Sequence, residues 1–115
     1  PMVSAAESPY TNRIHLLDLV DICERALLDD DIAGIFNVTD GQPGTMNEYF
    51  TAVAEALELP VPPSISMAKA RQQLSAGMLS YMGESRRIGN SKLLQTFSMQ
   101  LRYPTLQDGL RFTGE

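Results

Sequence analysis

Thr11-Asn12-Arg13-Ile14-His15-Leu16-Leu17-Asp18-Leu19 is the stretch whose reading decides the fold. Residues 10–15 carry β-favouring side chains and read as a short extended segment. From Leu16 the spacing changes to that of an amphipathic helix over 16–29. Leu16, Leu19, Val20, Cys23, Ala26 and Leu27 recur at helical intervals with Ile22 beside them, and Asp18, Asp21, Glu24 and Arg25 fall mostly on the other side. Asp18 and Asp21 suit the positive end of the helix dipole. Asp29-Asp30-Asp31 closes the helix as a solvated acidic turn.

Downstream, Gly34-Ile35-Phe36-Asn37-Val38 is apolar on consecutive residues and reads as a short strand, able to be buried on both faces. Thr45-Met46-Asn47-Glu48 is a capping box that starts a second helix. Its expected apolar face is Met46, Tyr49, Phe50, Val53 and Leu57, and it stops near Glu58 ahead of Pro60, Pro62 and Pro63. An extended, proline-stiffened linker follows over 61–66, and a helix is expected over 67–79, weakened near Gly77. Residues 81–85 read as a loop. Asn90 or Ser91 can cap a short helix over 92–96, residues 99–103 are extended, and Pro104 fits the first turn of a last helix over 105–110. Upstream, residues 1–9 are small and polar, and Pro1 before Met2 reads as a cut or engineered N-terminus.

The composition bounds the class. A chain of 115 residues, 43% hydrophobic and 20% charged, is one globular α/β domain rather than two. With a net charge of −5 and no basic cluster beyond Arg86-Arg87, no nucleic-acid or anionic-membrane partner is expected. No apolar run approaches a membrane span, and no signal peptide is visible. The single cysteine, Cys23, permits no intrachain disulfide and fits a reducing cytoplasm; its place on a helix face points to the core.

Several chemistries are missing. The glycines at 34, 41, 44, 77, 83, 89, 109 and 114 make no G-x-G-x-x-G or G-x-x-G-x-x-G turn, so no backbone cradle for a dinucleotide pyrophosphate is present. The residues four beyond the tyrosines are Ile14, Val53, Ser85 and Gln107, so no Tyr-x-x-x-Lys pair exists for proton transfer. One histidine and one cysteine exclude a catalytic triad and a zinc site.

Four blocks, in order, resemble the second half of the extended short-chain dehydrogenases/reductases, the NAD-dependent epimerase/dehydratase family. They are N-R-I-H-x-x-D-L (12–19), G-I-F-N-V-T-D-G-Q-P (34–43), S-R-R-I-G-N-S-K-L-L (85–94) and L-R-Y-P-T-L-Q-D-G-L (101–110). The nearest variant is the atypical extended group, although Leu17 stands where many of those relatives have a second acidic residue. The resemblance implies a partial C-terminal substrate-binding lobe of about four helices with short strands. In that family the first block enters a helix packed against the nucleotide-binding sheet.

The resemblance also implies roles. An arginine near the third block contacts the substrate diphosphate in sugar-nucleotide members, which by position is Arg86 with Arg87 beside it; a guanidinium fork suits phosphate oxygens. Arg13 would line the substrate cleft. Asn90 is the fourth substrate-binding candidate. The bland alternatives are a solvated Arg86-Arg87 pair, a structural salt bridge at Arg13 and a helix cap at Asn90. His15 is expected to anchor the strand-to-helix corner through a ring NH. The methionines at 46, 67, 78 and 82 are expected to fill core or exposed surface.

Three functions stay open. The chain can be the substrate-binding portion of an NAD(P)-dependent sugar-nucleotide epimerase, dehydratase or reductase, inactive without an N-terminal cofactor-binding half. In that case NAD or NADP is bound by the full-length protein, none by this chain alone, and the partner is a nucleotide-sugar or similar small molecule. It can belong to a non-catalytic dinucleotide sensor or scaffold of the same fold. It can also be a stand-alone protein-interaction domain. Uncovered apolar helix faces predict self-association of the isolated chain.

Overall fold

The computed structural model describes residues 1–111. Its elements, in chain order, are β1 (Met2–Val3), a 3-10 turn (Ala5–Glu7), β2 (Tyr10–Thr11), α1 (Leu16–Leu28), β3 (Gly44–Thr45), α2 (Met46–Ala56), β4 (Ser64–Ile65), α3 (Met67–Gln73), α4 (Ala76–Met82), α5 (Ser91–Phe97) and α6 (Leu106–Leu110). The chain is thus mixed α/β and mostly helical. Six α-helices stand among the described residues, against about four expected, with four two-residue strands. None of these helices is long and apolar enough to cross a membrane. The chain divides into two compact units, each built from two chain segments.

The first unit comprises Pro1–Thr11 and Pro43–Arg87. In it β1 runs parallel to β4, with Met2 opposite Ser64 and Val3 opposite Ile65. β2 runs antiparallel to β3. The core is Val3, Ala70 and Met82, packed by Met46, Ile65, Met67 and Leu74. Thr45 caps α2 as the capping box requires, accepting from the Glu48 N–H at 3.1 Å. The expected apolar face of α2 is largely uncovered: Tyr49, Phe50 and Leu57 are exposed and the buried residue is Ala54.

The helix expected over 67–79 is two helices. Leu74 leaves α3 with ψ 155°, and Ser75 starts α4 by accepting from the Met78 N–H at 3.2 Å. A serine hydroxyl that can cap competes with helix continuation, so the break falls at Leu74–Ser75 rather than at Gly77. Tyr81 and Met82, expected in a loop, are the last turn of α4, with Met82 buried.

The second unit comprises Asn12–Gln42 and the chain from Ile88 onward. Its core is Ile22, Leu93, Phe97 and Met99, joined by Ile14, Ile32, Phe36, Val38, Leu94 and Leu101. The ring of Phe36 meets that of Phe97 edge-on at 5.3 Å. Residues 34–38 form no strand among the described residues. Phe36 and Val38 pack inward while Ile35 is 88% exposed, so the segment is extended but covered on one face only. Lys92 Nζ donates to the Ile35 carbonyl at 2.9 Å and lies over the Phe36 ring.

α1 has nearly the expected bounds but turns a different face inward. Leu16, Val20 and Leu27 are exposed, and so is Cys23, which is therefore not a core residue. The buried residues are Ile22 and Asp18, the latter with 0% of its surface exposed. Asp18 stands in the first turn of α1, as the helix dipole favours, and its carboxylate also binds the returning chain. Its Oδ1 accepts from the Arg102 N–H at 2.9 Å and its Oδ2 from the Tyr103 N–H at 3.0 Å. A buried carboxylate is tolerable when both oxygens are bonded in this way.

Asp18→Ala strands both backbone N–H groups. It is expected to lower the stability of the second unit by about 3 kcal/mol, read as a shift in the urea unfolding midpoint at neutral pH. A loss below about 1 kcal/mol would mean that the two amides find other acceptors.

Candidate functional site

Three of the four resembling blocks meet in a polar junction of the second unit. Asn12 Oδ1 accepts from the Ile88 N–H at 2.9 Å, and Thr39 Oγ1 donates to the Ile88 carbonyl at 3.3 Å. Asn90 Nδ2 donates to the Thr39 carbonyl at 3.1 Å, and the Asp40 N–H donates to the Arg13 carbonyl at 2.7 Å. These segments have no regular ladder, so side-chain amides and hydroxyls satisfy their backbone groups instead.

The loop that follows is fixed by its own side chains. Thr39 Oγ1 accepts from the Gly41 N–H at 3.1 Å and Asp40 Oδ1 from the Gln42 N–H at 2.8 Å, an Asx turn. Gly41 sits at φ +75°, and a Cβ there would lie 2.6 Å from Asn90 Oδ1. Both the backbone and the close approach of Asn90 therefore require glycine.

Asp40 is the electrostatic centre of this junction. It is buried, and burial raises its pKa above the ordinary 3.8. The Gln42 N–H bond and the charge of the Arg13 guanidinium oppose that rise.

The fourth block enters through α1. His15 caps α1 with Nδ1 accepting from the Leu17 N–H at 3.1 Å. It anchors the corner as expected, but as an acceptor at this bond rather than through a ring NH. Its ring stacks on Tyr103 at 4.0 Å and 21°, beside the Arg102 and Tyr103 amides held by Asp18.

Of the sequence candidates, Arg13 and Asn90 lie in this junction. Asn90 occupies the N-cap position of α5 but makes no side-chain cap bond, because its amide is turned to Thr39. Arg86 and Arg87 belong to the first unit. Arg87 lies 5.2 Å over the Tyr10 ring. The contact of Arg86 to Glu84 at 3.8 Å joins side chains 70% and 71% exposed, where solvent screening leaves little energy. Asn12, Thr39 and Asp40 were not singled out from the sequence. The available signal was Thr-Asp-Gly after an apolar run, a turn signature whose side chains bond back to the backbone.

Among the described residues no group of histidine, cysteine, aspartate and glutamate can hold a metal ion. An open groove of about 350 Å³ in the second unit is lined by Asp21, Glu24, Arg25, Leu28, Asp29, Ile32 and Phe97, and by none of the candidate residues.

No family model and no curated protein matches the chain. Among solved structures it is similar to a functionally unknown conserved protein from Silicibacter pomeroyi DSS, with 26% identity and a TM-score of 0.78. The match covers 89% of this chain and 36% of that one, so the chain spans about a third of that protein's length.

Because folding raises the pKa of Asp40, the folded state binds its proton more tightly than the unfolded state does. The contribution of Asp40 to stability therefore falls as pH rises from the ordinary carboxylate range through the raised folded value. Asp40→Asn keeps an acceptor for Gln42 and removes this slope. Urea unfolding from about pH 3 to about pH 7 is expected to show the wild type losing stability relative to Asp40→Asn as pH rises. A constant difference would contradict it.

Proposed function

We propose that this chain is the C-terminal, substrate-facing portion of an NAD(P)-dependent epimerase, dehydratase or reductase of the extended short-chain dehydrogenase/reductase type, acting on a nucleotide-sugar in the cytoplasm. The observation that carries this reading is the convergence of the four resembling blocks. Asn12 and Arg13, Thr39 and Asp40, and Ile88 and Asn90 are bonded to one another, and Asp18 of the first block holds Arg102 and Tyr103 of the last. Blocks picked out by their resemblance to one family thus bond to one another within the second unit.

A second support is the outer face of α1. Leu16, Val20, Cys23 and Leu27 recur at helical intervals, and all are exposed. Such a stripe needs covering, and the resemblance assigns it to a nucleotide-binding sheet. In the isolated chain the same stripe drives self-association.

In this reading Arg13 and Asn90 of the second unit are substrate-binding residues, and, separately, so are Arg86 and Arg87 of the first. The Arg87 guanidinium lies 5.2 Å over the Tyr10 ring, and its planar fork of N–H donors suits phosphate oxygens. NAD or NADP, which accepts and returns the hydride, and the Tyr/Lys acid-base pair belong to the N-terminal half.

The same bonds serve equally a second reading, a non-catalytic dinucleotide sensor or scaffold of the same fold. Asn12, Thr39, Asn90 and Asp18 all make bonds inside the fold. The reading frame upstream of the Pro1 codon separates the two. The enzyme reading expects on the order of 150 further residues with a glycine fingerprint and Tyr-x-x-x-Lys. A fingerprint without the Tyr/Lys pair selects the sensor, and a frame with neither contradicts both.

A further inference from the structure

We infer that the corner where the chain enters α1 is a proton-sensitive clasp: His15 caps the helix only while its Nδ1 is unprotonated, so acidification loosens the first turn of α1. This device needs no ligand and stands on the hydrogen bonding and ring packing at the corner.

His15 is the N-cap of α1, with extended backbone at φ −67° and ψ 140°, and its Nδ1 accepts from the Leu17 N–H at 3.1 Å. Serine, threonine, aspartate or asparagine usually fills this position. Each of those offers an oxygen that remains an acceptor at neutral and mildly acid pH, whereas an imidazole nitrogen accepts only in the neutral ring. Protonation turns the acceptor into a second donor facing the Leu17 N–H. It also sets a positive charge at the positive end of the helix dipole. Both effects act against the first turn of α1.

The ring is held where it caps. Tyr103 stacks on its face, with centroids 4.0 Å apart and planes at 21°. At its edge a Cβ on Gly109 would lie 3.1 Å from Cδ2, so α6 approaches closely. A half-turn of the ring would only set Cδ2 against the Leu17 N–H, which is no acceptor. The carboxylates of the elements packed at this corner are already engaged. Asp18, one turn into α1, accepts from the Arg102 and Tyr103 amides, although in a capping box the acid at this place serves the cap. On α6, Asp108 Oδ2 accepts from the Thr105 hydroxyl at 2.8 Å, and its Oδ1 lies 3.8 Å from Arg111 Nη1. Arg13 and Arg102 carry donors only.

The test follows amide exchange by NMR in the 115-residue chain from about pH 7.5 to about pH 5, where imidazoles titrate. The ring carbons of His15 report its protonation directly, and exchange is corrected for its intrinsic dependence on pH. Protection of the Leu17 amide is expected to fall about fivefold as the ring is protonated, the size of a lost cap. The Tyr103 amide, bound to Asp18 rather than to the ring, is the internal reference and changes less. His15→Asn, whose amide oxygen can cap and does not titrate, keeps Leu17 protection constant over the range. His15→Ala, which has no acceptor, shows the low protection at both ends. Leu17 protection that persists while the ring titrates overturns the inference. A fall of the same size in His15→Asn also overturns it, because another group is then responsible.

Discussion

The second unit depends on the carboxylate of Asp18. Its two oxygens receive the amides of consecutive residues, Arg102 and Tyr103, more than eighty residues further along the chain. Each oxygen accepts one of two converging N–H donors, and burial makes each bond strong and its loss costly. Once the returning chain is pinned to the first turn of α1, Tyr103 stacks on His15 and Met99 enters the core with Ile22. The apolar packing of this unit thus rests on a polar clasp.

The polar junction around Asp40 repeats this logic with neutral groups. Asn12, Thr39 and Asn90 bind backbone atoms of segments that pair with nothing regular. Asn90, a ligand candidate from the sequence, is here part of the substitute for a sheet ladder. The same bonds fix the backbone from which Arg13 and Asn90 project. The exposed stripe on α1 and the half-covered segment 35–38 are the counterpart: apolar surface whose partners are not supplied within this unit.

Much of the element plan was legible in the sequence because it rests on local chemistry. The Thr45 capping box, the bounds of α1 and the short last helix follow from residues within a turn of one another. The inward face of α1 was not legible. The helix carries apolar residues around more than half its circumference, so periodicity finds a stripe but cannot say which stripe is covered. The acceptor role of Asp18 exists only because Arg102 and Tyr103 arrive from far away. The ends of α2 and α5 fall close to the expected positions, but the way the chain turns there was not legible. Glu58 and Ser98 take the left-handed position at φ 55° and 48°, and Leu59 and Met99 bond back to the carbonyls of Ala54 and Leu94. That Schellman stop usually announces itself with glycine. Of the polar junction, Arg13 and Asn90 had been named from the resembling blocks, whereas Asp40 had not, since its burial is a product of the tertiary fold.

The central claim is that the polar residues of the blocks clasp the second unit into one cooperative body. Amide hydrogen exchange tests it at Asp40, Gln42, Ile88, Arg102 and Tyr103, which donate to these side chains or their neighbours yet lie outside every helix and strand. The account predicts that they exchange together with the core amides of α1 and α5, at least about a thousandfold slower than in an unstructured chain. Exchange at these five positions as fast as in an open loop, with the helices still protected, would contradict it.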